Sequence, residues 1–75
     1  MSKDDQYRRL ASSNRRIAET RERIELQKAR VLELQGQPEC GTAVQLLRIL
    51  DHALRLMLHN RAKLIRQLMN WPHYT

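Results

Sequence analysis

The side chains best suited to holding a metal or moving a proton near neutral pH are His52 and His59. They stand seven positions apart in Ala43–Met69, a run that holds neither Gly nor Pro. If that run is helical, two turns part them by ~10 Å at ~1.5 Å per residue, too far for one ion to join both. They share a line with Arg48, Arg55 and Arg66, so they read as solvated residues on the polar back of a helix. Cys40 is the single cysteine, which rules out an internal disulfide, suits a reducing cytoplasm and reads as a loop thiol. His73 belongs to the tail, and no Cys/His cluster has zinc-ligand spacing. Ser12 and Ser13 lack the surroundings of a nucleophile, and there is no Gly-rich phosphate loop. The expectation is a non-enzymatic chain with no metal and no cofactor.

The remaining chemistry is that of cations. The formal charge is +6, and it is unevenly placed. Lys3, Arg8, Arg9, Arg15 and Arg16 meet only Asp4 and Asp5 within residues 1–18, and Arg61, Lys63 and Arg66 are unopposed within residues 59–75. Residues 19–58 hold six basic groups and six acids, so the excess belongs to the two chain ends. A guanidinium pairs phosphate oxygens bidentately, and clustered positive charge draws polyanions through counterion release. Arg8, Arg9, Arg15, Arg16, Arg61, Lys63 and Arg66 are therefore the candidate anion or nucleic-acid binders. An anionic lipid surface would suit the same charge.

These cations need elements to position them. Ser2, followed by Asp4 and Asp5, suits a helix start, because a hydroxyl caps free amides and carboxylates favour the positive helix end. The first helix is expected over about 3–35. Leu10, Ile17, Ile24 and Val31 recur every seven residues and Leu34 joins them, while Ser13, Thr20 and Gln27 occupy the companion positions and keep the apolar stripe narrow. Asp4 with Arg8, Asp5 with Arg9, Arg15 with Glu19, Glu19 with Arg23 and Arg21 with Glu25 lie one turn apart and describe a solvated surface. Residues 36–41 form the break: Gly36 suits a left-handed helix stop, and Pro38 cannot continue the helix. Thr42 with Gln45 reads as a capping box restarting the chain over about 42–70. So short a link between long helices makes them antiparallel neighbours, a single all-α hairpin domain spanning 1–75, in which residues whose numbers sum to about 77 oppose each other. Pro72 ends the second helix by Trp71, and Tyr7, Trp71 and Tyr74 are expected to form an apolar lid over the open end.

The second helix carries the broader apolar face. Leu47, Leu50, Leu54, Met57, Leu64 and Leu68 form its seam, broken only by Arg61. Leu46, Ile49, Ala53 and Leu56 flank the seam on one side, and Val44, Leu58 and Ile65 on the other. The narrow stripe of the first helix cannot cover so wide a face. Leu46, Ile49, Ala53, Leu56, Leu58 and Ile65 are accordingly the candidate self-association residues, and two hairpins joined as a four-helix bundle would bury them. Seventy-five residues make a thin core in any case, which also favours a homodimer. Repulsion between the basic ends favours an antiparallel mate. No apolar run is long enough for a membrane span or a signal-peptide core, and a cytoplasmic location is expected.

The segments Arg16-Ile17-Ala18-Glu19 and Arg30-Val31-Leu32-Glu33-Leu34, a Gly-containing break, then Leu46-Leu47, Leu54, Met57-Leu58-His59, Arg61 and Leu64-Ile65 resemble a group of short, uncharacterised helical-hairpin proteins of proteobacteria. The resemblance covers about residues 15–68 and implies a hairpin fold with no assigned activity or site. The architecture is also similar to that of the plasmid repressor-of-primer protein, a hairpin that dimerises into a four-helix bundle and binds RNA, although fold does not carry function with it. The function expected is a homo-oligomeric protein-interaction or scaffold module, and the alternative is a small basic nucleic-acid binder that uses the open end of the hairpin.

Overall fold

The computed structural model describes residues 2–71. They form α1 (Lys3–Glu33) and α2 (Cys40–Met69), two helices of roughly 45 Å at ~1.5 Å per residue, packed side by side as an all-α hairpin. None of the described helices is long and apolar enough to cross a membrane.

α1 starts where the sequence places it. The Ser2 hydroxyl accepts from the Asp5 amide at 3.1 Å, and the Asp5 carboxylate accepts from the Ser2 amide at 3.2 Å. This reciprocal box occupies two of the polar groups that a helix start leaves open. The bond from the Ser2 backbone, followed by that from its side chain, holds the Asp5 carboxyl below its ordinary value of 3.8.

The helix stops two residues short of the expected Gln35. Leu34 is its C-cap, and Gly36 follows at φ 81, the left-handed geometry that only glycine adopts without strain. Two tight turns complete the link, with Gln37 donating to the Leu34 carbonyl at 3.0 Å and Cys40 to the Gln37 carbonyl at 3.1 Å. The expected capping box of Thr42 and Gln45 does not form. α2 begins at Cys40, its N-cap is Glu39 with no side-chain cap bond, and Glu39 is already helical at φ -74, ψ -11. The cause is local: once past Pro38 the Glu39 carbonyl receives the Ala43 amide at 3.1 Å, so the first turn closes before Thr42 could cap anything.

The core is a single thin seam. Ile17 and Ile24 of α1 are 5% and 4% exposed, and Ala43 and Leu64 of α2 are also buried. Leu10, Val31, Leu47, Leu50, Leu54, Met57 and Leu68 are half-buried, as expected of a two-helix contact that solvent reaches from both flanks. Thr20 and Gln6 complete the buried set as polar members. The Thr20 hydroxyl donates to the Met57 sulfur at 3.4 Å, a pair whose numbers sum to 77. Closer to the turn, Gln27 donates from Nε2 to the Ala43 carbonyl at 2.8 Å and the Cys40 thiol faces the Val31 carbonyl at 3.9 Å. These contacts lean toward the connection because α2 begins earlier than expected.

Two further details concern the charged surface and the open end. Among the described residues, Asp4–Arg8, Arg15–Glu19, Glu19–Arg23 and Arg21–Glu25 do not close into ion pairs, while Lys28 and Glu25 do at 3.3 Å. Both partners are exposed, so the pair contributes at most ~0.5 kcal/mol. Of the expected aromatic lid the structure describes only a part, with Trp71 half-buried. Tyr7 is 52% exposed, with the Lys3 ammonium 5.9 Å from its ring centre, and Tyr74 lies outside the described residues. Gln6, one position and ~100° earlier on the helix, takes the inward place instead.

Candidate functional site

Along α2, Leu46, Ile49, Ala53, Leu56, Asn60, Lys63 and Gln67 follow one another in steps of three and four, so they form one stripe on one flank of the hairpin. Its character changes midway. The half nearer the turn is apolar and open to solvent: Leu46 is 46%, Ile49 58% and Leu56 52% exposed. The half nearer the chain ends is polar and cationic.

The α1 residues on the same flank are fixed by a groove of about 720 Å³, which Arg9, Ser12, Ser13 and Arg16 line together with Ala53, Leu56, Asn60, Lys63 and Gln67. Continuing the α1 line from Arg9, Ser12 and Arg16 in the same steps leads through Glu19 and Arg23 to Leu26, which is 73% exposed. Leu26 therefore extends the apolar half of the flank. The sequence reading overlooked it because it lies off the seven-residue repeat of α1; stepping by three and four from Arg16 is the signal that finds it.

A second groove, of about 600 Å³, continues from the first toward the open end. Lys63 and Gln67 belong to both, and Arg66, Asn70, Gln6 and the half-buried Trp71 complete it. α2 ends just before, where the Asn70 amide bonds the Arg66 carbonyl at 3.0 Å and the Trp71 amide bonds that of Leu68 at 3.3 Å. Among the described residues no carboxylate lines either groove.

The seven candidate anion binders do not share one surface. Arg9, Arg16 and Lys63 meet at the first groove, and Lys63 and Arg66 at the second. Arg8 and Arg15, seven apart, lie exposed on the outer back of α1. Arg61 is the clearest departure: it sits half-buried in the seam and donates from Nε to Asn14 Oδ1 at 2.5 Å, one helix position past Ser13 and on the opposite flank. A cation at a seam position has to find an acceptor on the facing helix, and Asn14 supplies it.

The six candidate self-association residues also divide. Leu46, Ile49, Ala53 and Leu56 share the groove flank, with Ala53 half-buried between its neighbours. Leu58, 37% exposed, and the half-buried Ile65 lie on the other flank with Val44. His52 and His59 are exposed, and His52 borders a shallow depression with Gln45, Arg48 and Ile49. Among the described residues no group of three His, Cys, Asp or Glu side chains is placed to hold a metal ion. No protein-family model, curated protein or solved structure matches the chain.

Proposed function

We propose that this hairpin is a self-associating, non-enzymatic protein-interaction module, with a second copy of itself covering the flank of Leu46, Ile49, Ala53 and Leu56. The observation that carries this reading is the exposure of three large aliphatic side chains, 46% to 58%, in one unbroken stripe, with Leu26 of α1 beside it. Isolated exposed leucines are ordinary, whereas a contiguous stripe marks a surface that gains by being covered. A two-fold axis perpendicular to α2 and passing near Asp51 sets Leu46 opposite Leu56 and Ile49 opposite Ala53. Apolar groups meet apolar groups, and the two basic ends point apart. The product is an antiparallel four-helix bundle.

Sedimentation equilibrium at tens of micromolar tests this. The wild-type chain is expected to run at twice its 9.0 kDa mass. Leu46→Glu together with Leu56→Glu is expected to raise the dissociation constant at least ~100-fold, since each buried aliphatic chain contributes ~1.5–3 kcal/mol. A strict monomer for the wild type sinks the reading.

A second reading rests on a different observation, the convergence of Arg9, Arg16, Lys63 and Arg66 on adjoining grooves that no carboxylate lines. In it the open end of the hairpin binds nucleic acid through phosphate contacts. Retention on mixed RNA and DNA that falls steeply with salt, beyond that shown by an acidic polypeptide, tests it.

A further inference from the structure

The two grooves at the open end are one track. They run along α2 from Ala53 to Trp71, about 27 Å at ~1.5 Å per residue, and share Lys63 and Gln67 at the join. Cations alternate along the track with neutral donors such as Ser12, Ser13 and Asn60, and the track ends on an indole. We infer that this track binds single-stranded nucleic acid, with Arg9, Arg16, Lys63 and Arg66 on successive phosphates and Trp71 stacking on a base. The inference rests on the nucleic-acid reading above and narrows it to one ligand class, one face and one aromatic contact.

Three features favour a single strand over a duplex. The cations lie on a shallow strip between two helices, not on a helix that projects far enough to enter a groove of double-stranded DNA. The polar side chains on the walls are flexible phosphate or amide partners, suited to a backbone and indifferent to sequence, and Ala53, Leu56, Met57 and Leu64 supply the apolar rest of the lining. Trp71 is half-buried at the end of the track, where an unpaired base could reach its ring. A backbone-following basic groove with an aromatic platform is the recurring solution for unpaired strands.

Trp71 is the only tryptophan in the chain, so its own fluorescence reports the contact. The full-length protein is titrated with poly(U) and poly(dT), then with a mixed-sequence duplex, inorganic phosphate and polyglutamate, across a salt series. The expected result is quenching by the single strands, with a log–log salt slope of roughly -3, from about 0.7 per phosphate contact and four contacts. Labelled-oligonucleotide anisotropy then compares variants whose helicity is confirmed by circular dichroism. Arg16→Gln with Lys63→Gln is expected to lower that slope by about 1.4. Trp71→Ala is expected to weaken binding ~5- to 100-fold while leaving the slope unchanged, and Trp71→Phe to recover part of the loss. Leu46→Gln with Ile49→Gln is expected to bind as the wild type does, since neither side chain lines the track.

Tight binding of duplex and single strand alike, indifferent to Trp71→Ala, overturns the track while leaving nucleic-acid binding in place. Absence of binding at low salt, or equal affinity for polyglutamate, overturns both.

Discussion

At the scale of single residues, few side chains hold the hairpin together, and each is correspondingly expensive to lose. Ile17 and Ile24 are the deepest points of α1, so Ile24→Ala is expected to lower unfolding free energy by ~2–4 kcal/mol in urea denaturation, whereas Leu32→Ala, at a residue 66% exposed, is expected to change it by less than ~0.5 kcal/mol. Asp5 supplies a pH signature. Its carboxyl titrates below the ordinary value of 3.8, so folding favours the charged form. The resulting stabilisation is fully present above that value and disappears as pH falls through the lowered one. Asp5→Asn is expected to remove this acid-limb dependence, seen as a flatter curve of melting temperature against pH between about 5 and 2.

At the scale of elements, the hairpin was readable from the chain to within a few residues, and each departure has a local cause. Ser2 with Asp5, the heptads of Ile17 and Ile24, and Gly36 each act through near neighbours, and each does in the structure what its position implies. Thr42 does not cap because the Glu39 carbonyl receives the Ala43 amide just past Pro38, so the first turn of α2 closes before Thr42. The candidate site departs for a non-local reason. The list of basic residues was visible, but Arg61 turns to Asn14, 47 positions away in sequence, and only the packed register reveals this. The two glycines give an opposed pair of expectations. Gly36→Ala forces a Cβ into the left-handed region and is expected to cost ~1–2 kcal/mol. Gly41 lies in the first turn of α2 with open space where a Cβ would project, so Gly41→Ala is expected to stabilise by ~0.5–1 kcal/mol. Paired denaturation curves check the signs.

At the scale of the whole molecule, one flank is divided lengthwise: aliphatic toward the turn, cationic toward the chain ends. Under the two proposals above, self-association and anion binding centre on opposite halves of a single small rod and meet at Ala53 and Leu56. The reciprocal expectation is that salt separates them, since raising it from 50 to 500 mM weakens phosphate contacts and leaves or strengthens apolar ones. Sedimentation and anisotropy measured in the same salt series check it. The bond from Thr20 to Met57 has a different consequence at this scale. Aliphatic heptads look alike when slid by seven residues, so Ile17 and Ile24 would fit several alignments of α1 against α2 about equally well. A slip of one heptad would set the Thr20 hydroxyl against Leu50 or Leu64, which offer no acceptor, and leave it only the carbonyl one turn back in α1. The contact thus carries an address more than an energy. It tells α1 which stretch of α2 to meet, and the instruction is the same whether that α2 belongs to its own chain or to a neighbour that has exchanged helices with it.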